Sequence, residues 1–213
     1  MQSDDFSPSV RAQMFWGAYE GAETRMIRSF LRGSRTVIEL GSSLGVTTAH
    51  IAAGMASGGR LICVEANPLL IPGLQRRLLP WADSLDLDVI HAAVTTHSGS
   101  ALLTVASQTV GSRLGRPRGD ENTVQVPAFT LQQILDQTGI TDFDLVSDIE
   151  GAEAAFLLHD PAVLKGCRRA VMELHNSNVD GSDVSVFDLI DALVAAGFEV
   201  VHRHGPVVAV IRP

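Results

Sequence analysis

Cysteine is scarce in this sequence, and long apolar runs are missing. Among 213 residues there are two cysteines, Cys63 and Cys167, each within or beside an apolar run. A small secreted protein stapled by disulfides would carry more, so we expect both to be buried thiols in a reduced compartment. No apolar run approaches the about 20 residues of a membrane span, and residues 1–5 lack the basic start and apolar core of a signal peptide. These absences predict a cytoplasmic protein that does not associate with membranes.

Basic residues are fewer than acidic residues in this sequence. The chain has 16 Lys and Arg against 24 Asp and Glu, which gives a formal net charge of -8. An acidic surface repels phosphate backbones, so a nucleic-acid partner would need a local basic patch. The candidate patch is the stretch 113–118, where arginines alternate with Gly and Pro. We interpret this stretch as a solvated loop and therefore predict no nucleic-acid partner.

Short apolar segments alternate with helical patterns along most of the chain. Strands are predicted at 36–40, 60–65, 88–94, 143–149 and 169–174, and helices at 46–55, 69–79 and 152–164. This alternation is typical of βαβ units, in which helices cover both faces of a parallel sheet. Two final apolar runs, 199–204 and 206–212, predict an antiparallel hairpin. We therefore expect one three-layer α/β domain over 1–213, with a helical segment in 1–33 and a core in 34–213.

A glycine turn follows the first predicted strand. It begins two residues after Glu39 and includes Gly41, Ser43 and Gly45. Glycine lets the backbone approach a ligand closely, and the next helix offers free N–H groups at its start. An acidic residue so close repels a pyrophosphate but suits a cationic cofactor such as S-adenosylmethionine. Two alternatives stay open: a plain βα turn, and a nicotinamide-dependent oxidoreductase, whose fingerprint would be Gly-x-Gly-x-x-Gly. We expect Gly41 to leave space for the ligand.

Two further predicted strands carry an acidic residue at or near their end, and a histidine follows a third. Glu65, at the end of the second, can accept hydrogen bonds from both hydroxyls of a ribose. Asp148 interrupts the end of a strand that should be buried, where an unpaired carboxylate is costly. His175 follows a neighbouring strand, so the two could form an acid–base pair or share a metal ion. Because no dedicated metal-ligand set is visible, a divalent ion is the less favoured alternative.

These residues resemble the FkbM-like family of class I S-adenosylmethionine-dependent methyltransferases. The matching segments are 39–47, 64–68, 91–94, 146–153 and 171–175. The run 148–153, Asp-Ile-Glu-Gly-Ala-Glu, is the most specific of them. The sequence departs from the family at Ser43, a position where the family often has asparagine. It departs again at Val146 and Ser147, which replace a Lys-Ile pair that is frequent in the family.

The resemblance implies a Rossmann-like methyltransferase fold with a mostly parallel seven-stranded sheet. It places the methionine part of the cofactor on the glycine turn, the ribose on Glu65 and the adenine near His91 and Ala92. The full predicted cofactor set is Glu39, Gly41, Ser42, Ser43, Gly45, Thr47, Glu65, Ala66, His91, Ala92 and Asp148. Asp148 or His175 is the expected catalytic base, and Glu150 supports it.

The predicted activity is O-methylation of a hydroxyl group on a sugar or specialised metabolite. A non-catalytic cofactor-binding protein remains an alternative. The expected partner is a small-molecule acceptor with a hydroxyl group, and we allow for a homodimer. Trp16 and Tyr19, in the N-terminal segment, are expected to form a lid over the cofactor, and the polar stretch 107–123 to contribute to acceptor specificity.

Overall fold

A computed structural model of the protein describes residues 21–105, 113–114, 122–179 and 181–213. The helices are α1 (Gly21–Phe30), α2 (Val46–Gly54), α3 (Ile71–Leu78), α4 (Leu131–Thr138), α5 (Ala154–Leu157) and α6 (Val186–Ala195), with 3₁₀ turns at Leu79–Trp81 and Pro161–Gly166. The strands are β1 (Thr36–Leu40), β2 (Gly59–Glu65), β3 (Leu85–His91), β4 (Ala93–Val94), β5 (Gly99–Val105), β6 (Arg113–Leu114), β7 (Asn122–Phe129), β8 (Phe143–Ser147), β9 (Cys167–Glu173), β10 (Ser177–Val179), β11 (Ser182–Val184), β12 (Glu199–His204) and β13 (Val207–Ile211).

The main sheet has seven strands in the order β12-β13-β9-β8-β1-β2-β3. Strands β3, β2, β1, β8 and β9 run parallel, and β13 is antiparallel to both β9 and β12. The predicted mostly parallel seven-stranded sheet and its C-terminal hairpin are therefore confirmed. The chain moves from β1 to β2 on one side and later returns to β8 on the other. This reversal beside β1 is a topological switch point, where open α/β sheets bind their ligands.

Each face of the sheet carries its own apolar core. Ile38 and Leu40 of β1 pack with α4, α5 and α6 on one face, and Val37 packs with α1, α2 and α3 on the other. Successive side chains of a strand point to opposite faces, so one continuous apolar strand can supply both cores. The three-layer prediction is confirmed. It also follows that Glu39 points toward the α2 face.

The third predicted strand, 88–94, is wrong in its bounds. In the structure β3 ends at His91, and Ala92 donates its backbone N–H to Glu65 O at 3.1 Å. The chain then leaves the main sheet, and β4 pairs with β7 in a second sheet of order β4-β7-β5-β6. The sequence reasoning did not predict this second sheet. Its strands pair over long sequence distances, and a continuous apolar run does not mark where a chain changes sheets.

The predicted helix 152–164 is also wrong, because it is broken in two. Helix α5 covers four residues, Ala154–Leu157, and a 3₁₀ turn occupies Pro161–Gly166. Asp160 has φ −143° and ψ 61°, outside the helical region. The residue before a proline is disfavoured in helical geometry, so Pro161 explains the break. The predicted strand 143–149 likewise stops at Ser147.

The predicted lid residues Trp16 and Tyr19 lie outside the described residues, as does most of the stretch 107–123. Both predictions, and the single-domain organisation over 1–213, remain predictions. None of the helices in the described ranges combines the length and the hydropathy that a membrane span requires.

Candidate active site

The glycine turn after β1 closes against the end of β8. Gly41 has φ +85°, and a Cβ placed there would overlap the backbone carbonyl of Asp148. Asp148 in turn donates its backbone N–H to Leu40 O at 3.0 Å. Gly41 lines a narrow pocket, but the space that a side chain would take there is filled by the chain itself. Its predicted contact with the cofactor remains a prediction. This glycine lets the ends of two neighbouring strands come together.

The rest of the turn leads into α2. Ser43 has φ 45°, and Gly45 has φ 75° and caps the helix. A Cβ at Gly45 would lie 3.0 Å from a methyl carbon of Leu74, so the turn also packs closely on α3. Left-handed backbone at three of five positions gives the turn its sharp curvature, and non-glycine residues such as Ser43 adopt it only where the surroundings impose it.

The predicted cofactor residue Glu39 is buried, with 1% of its surface exposed. Its Oε2 accepts hydrogen bonds from Ser42 Oγ at 2.8 Å and from Thr48 Oγ1 at 2.6 Å. Glu39, Thr47 and Asp148 line a narrow pocket beneath the turn, of about 10 Å³. A pocket of that volume has room for about one water-sized group. The side chains of Glu39 and Asp148 give this pocket a negative lining.

Glu65, at the end of β2, is buried and held by the backbone. Its Oε2 accepts from Ser43 N at 2.6 Å, and its Oε1 accepts from Asn67 N at 2.7 Å. Burial raises the pKa of Glu65, although these N–H groups stabilise its charged form. Around it, His91 Nε2 lies 3.1 Å from Ala66 O, and Ala92 is buried. The structure therefore brings the predicted ribose and adenine residues to one end of β2 and β3.

Beyond β8 the chain turns sharply before α5. Glu150 has φ 53° and Gly151 has φ 100°, so two successive residues are left-handed. This turn packs on the segment after β9: a Cβ at Gly151 would lie 3.5 Å from Ser177 Cβ and 3.9 Å from His175 Cβ. A non-glycine residue with this backbone is strained, and such strain is common at functional sites. The turn is what brings Glu150 back toward His175.

His175 stands at the centre of a carboxylate cluster. Its Nε2 lies 3.9 Å from Asp148 Oδ1, 3.8 Å from Glu150 Oε2 and 4.0 Å from Glu173 Oε1. Its Nδ1 lies 3.3 Å from Glu153 Oε1. The structure thus unites the three predicted catalytic residues, Asp148, Glu150 and His175.

The surrounding acids raise the pKa of His175 to about 9. The hydrogen bond to Glu153 contributes most, burial opposes it, and the charges of Glu153, Asp148 and Glu150 add to the rise. The imidazole of the free protein is therefore a cation at neutral pH.

Glu153, the last residue of the run 148–153, was not among the residues predicted for the site. The structure buries its side chain completely, and Oε1 accepts from both Ile149 N and His175 Nδ1. Because a carboxylate only accepts hydrogen bonds, Glu153 keeps a proton on Nδ1 even when the ring is neutral, and it turns Nε2 toward Asp148 and Glu150. The signal in the sequence was the presence of three acidic residues, Asp148, Glu150 and Glu153, within six positions. So many carboxylates in one short turn indicate that at least one of them is buried and has a structural partner.

The same cluster has the geometry of a metal site. One ligand atom each from Asp148, Glu150 and His175 lies within 4.8 Å of the other two. A histidine held by a buried carboxylate on its far nitrogen is also a common arrangement around metal ions. The three residues could therefore hold a divalent cation, although all three are partly exposed.

Comparison with known proteins defines the class. Residues 17–200 match the family model described as the Methyltransferase FkbM domain. Among solved structures, the methyltransferase FkbM from Methylobacillus flagellatus KT superposes with a TM-score of 0.56 and 12% identity, over 97% of this chain and 56% of that one. An O-methyltransferase from Bacillus cereus, in complex with SAH, superposes with a TM-score of 0.51 and 14% identity, over 96% of this chain and 91% of that one. An rRNA methylase from Streptococcus thermophilus superposes with a TM-score of 0.51 and 9% identity, over 90% of this chain and 95% of that one. No curated protein matches the sequence.

The fold is therefore the Rossmann-like fold of S-adenosylmethionine-dependent methyltransferases, as the sequence predicted. The chain belongs to the FkbM methyltransferase domain family, whose model covers most of its length. This membership favours a methyltransferase over the nicotinamide-dependent oxidoreductase considered from the glycine turn alone.

Proposed function

We propose that the protein is an S-adenosylmethionine-dependent O-methyltransferase that modifies a hydroxyl group on a sugar or specialised metabolite. The observation that carries this proposal is the position of His175 Nε2, 3.9 Å from Asp148 and 3.8 Å from Glu150. It lies at the sheet edge where the glycine turn meets the end of β8. O-methylation requires a proton acceptor at the reacting oxygen, and this cluster supplies one.

The residues around the glycine turn fit a cationic cofactor. Glu39 and Asp148 line the narrow pocket, and a carboxylate there attracts a sulfonium or ammonium group and repels a phosphate. The ribose would lie at Glu65, and the adenine near His91 and Ala92. When bound, S-adenosylmethionine supplies an electrophilic methyl group carried by a positively charged sulfur.

Asp148 and His175 are the two candidates for the base. In the free protein the raised pKa of about 9 keeps His175 protonated at neutral pH. Nε2 takes the proton of the acceptor hydroxyl only after that pKa has fallen, and a second positive charge beside Asp148 acts in this direction. Glu153 holds the ring in position, and Asp148 with Glu150 stabilises the imidazolium that results. A divalent ion bound to the same three residues would acidify the hydroxyl instead, and it is our second choice.

Cofactor binding is tested by calorimetry with S-adenosylhomocysteine and with NAD. We expect the first to bind and the second not to bind. Glu65→Gln keeps the side-chain shape but loses a charged acceptor, so affinity should fall by about 1–3 kcal/mol. Glu199→Gln, on the exposed edge strand β12, is the matched control and should change nothing. Binding of NAD in preference to S-adenosylhomocysteine would reject the proposal.

Catalysis is tested with the variants Asp148→Asn and His175→Gln. Release of S-adenosylhomocysteine in the presence of hydroxyl acceptors should fall by on the order of 10²–10⁴-fold for the residue that acts as base. Cofactor affinity should change much less. If the two residues act as one unit, the double variant should be little worse than the poorer single variant. If a chelator abolishes the activity of the wild-type enzyme and a divalent ion restores it, a bound metal ion rather than a side-chain base activates the acceptor hydroxyl.

A further inference from the structure

Strand β12 leaves one edge of the main sheet open. It pairs with β13 on its inner side, and no other strand in the described ranges pairs with its outer side. All of its residues are exposed, whereas β3, at the opposite edge of the sheet, has a single exposed residue. An open edge strand presents unpaired backbone N–H and C=O groups, on which another chain can pair. The edge at β12 is therefore the place on this sheet where a partner would add.

Helix α6 carries an exposed apolar stripe beside this edge. Phe187 is 63% exposed and Val194 is 53% exposed. Seven residues make nearly two turns of about 3.6 residues each, so both side chains lie on the same side of the helix. The guanidinium of Arg203, on β12, lies 4.7 Å from the centre of the Phe187 ring, which shows that this side is the one toward the edge strand. Exposed apolar side chains grouped in this way are typical of protein interaction sites.

The charges of β12 have opposite signs at its two ends. The strand begins with Glu199 and ends with His202, Arg203 and His204. Charged side chains commonly protect a sheet edge from pairing with other chains. In an antiparallel pair of identical strands, however, the acidic end of each copy lies beside the basic end of the other. The charges of this edge are therefore complementary to those of a second copy of the same chain.

A bulge in β12 makes the two faces of such a pair match. The register with β13 shifts at Val201. Opposed residues of neighbouring strands share a face, so Val200 and Arg203 project to the face that α6 covers, and Glu199 and His204 to the face that α1 covers. Antiparallel pairing about the centre of the strand sets Glu199 opposite His204 and Val200 opposite Arg203. Each residue then meets one that projects to its own face.

The same arrangement gives the stripe on α6 a partner. A two-fold axis perpendicular to the sheet keeps both copies of α6 on one face and makes them antiparallel, with Phe187 of each copy toward Val194 of the other. Closed two-fold dimers of this kind are the commonest protein oligomers. Asp191, which is exposed on the same side of the helix, interrupts the apolar stripe. Because obligate interfaces are more apolar than this, we expect a dimer that dissociates.

The size of the surface sets the expected affinity. Helix α6 has 10 residues and is about 15 Å long, and β12 has 6 residues and spans about 20 Å. Two such surfaces together bury on the order of 1,000 Å², which is the lower end of the range for specific interfaces. A dissociation constant in the micromolar range is therefore expected.

We propose that the protein forms a two-fold homodimer through β12 and α6, in which two main sheets join edge to edge as one continuous sheet. The partner is a second copy of this chain. The inference goes beyond the proposed function and does not depend on it, because β12 and the strands of the predicted cofactor site, β1 and β2, are separated by three strands of the sheet.

Sedimentation equilibrium of the full chain tests the dimer. Between about 5 and about 500 μM, a range that brackets a micromolar dissociation constant, the average mass should rise from the chain mass of 22.7 kDa toward twice that value. Val194→Arg should stay monomeric, and a basic residue in the last turn of a helix favours the helix, so the melting temperature should not fall. Leu79→Arg is the control, since Leu79 is 68% exposed and lies outside α6 and β12. It should dimerise as the wild type does.

Charge reversal tests the orientation of the two copies. Glu199→Arg and Arg203→Glu each place like charges side by side at both ends of the paired edge, so each should raise the dissociation constant by on the order of 10-fold or more. The double variant exchanges the two ends and should dimerise as the wild type does. Such a rescue is expected only if the acidic end of one copy lies beside the basic end of the other.

Three results would overturn the inference. They are a wild-type mass that stays at 22.7 kDa throughout the concentration range, dimerisation that survives Val194→Arg, and a double charge reversal that is no better than the single ones. The affinity for S-adenosylhomocysteine should be the same in every variant, so failure of this ligand to bind the wild type would count against the proposed function and leave the dimer standing.

Discussion

At the scale of single residues, Gly41 shows how a motif position can be required for a reason other than the ligand. Its Cα lies so close to the backbone carbonyl of Asp148 that a side chain there would overlap the carbonyl oxygen. The close approach holds the pocket residues of β1 and the cluster residues after β8 together. A substitution at Gly41 is therefore expected to damage the fold before it damages cofactor binding.

Gly33 provides a matched comparison for this prediction. It has a similar left-handed φ of 77°, but a Cβ there would meet nothing within 4 Å. Gly33→Ala should cost about 1–2 kcal/mol of unfolding free energy through backbone strain alone. Gly41→Ala should cost clearly more, since it adds a steric overlap that only a backbone shift relieves. Urea denaturation of both variants measures the difference, and equal losses would show that the overlap is relieved easily.

At the scale of elements, one buried ion pair joins α1 to the centre of the sheet. Asp144 of β8 is fully buried, and its Oδ2 accepts from Arg169 Nη2 at 2.7 Å and from Ser34 Oγ at 2.6 Å. Arg169 Nη1 also donates to Phe30 O, the last residue of α1, at 2.7 Å. The end of α1 is thus fixed to β8 and β9 by charge as well as by apolar packing.

Asp144→Asn tests this connection. It leaves the guanidinium of Arg169 without its buried counter-charge, so the free energy of unfolding should fall by on the order of 3 kcal/mol. The control is Asp86→Asn, which breaks the pair of Arg60 with a carboxylate that is 68% exposed. An exposed pair contributes less than about 1 kcal/mol. Similar small losses in both variants, measured by chemical denaturation, would mean that packing alone positions α1.

At the scale of the whole molecule, His175 couples the candidate site to the pH dependence of stability. Its pKa in the folded protein, about 9, exceeds its ordinary value of 6.5. Between these values the folded state holds a proton that the unfolded state has released. The stabilisation is therefore fully present below pH 6.5 and is lost as pH rises through 9. The same proton on His175 therefore contributes both to the geometry of the candidate site and to the stability of the folded protein.

The variant His175→Gln makes this coupling measurable. Its melting temperature should lie below that of the wild type at pH 6, and the gap should close by about pH 10, once the wild-type imidazole is neutral. His50→Gln is the control, because burial and Arg28 lower the pKa of His50, so no gap that closes at high pH is expected. A constant gap for His175→Gln from pH 6 to pH 10 would contradict the raised pKa.

The sequence by itself determined which segments become strands of the main sheet and which acidic residues stand at or near their ends, although the predicted strands 88–94 and 143–149 both end earlier in the structure. Those features depend on local period and on the residue types next to each turn, as at Glu39, Glu65 and Asp148. Only the tertiary structure decided that Gly41 contacts Asp148, that Glu153 orients His175, and that the chain changes sheets after Ala92. Each of these depends on the distance between segments far apart in the chain, and packing sets that distance.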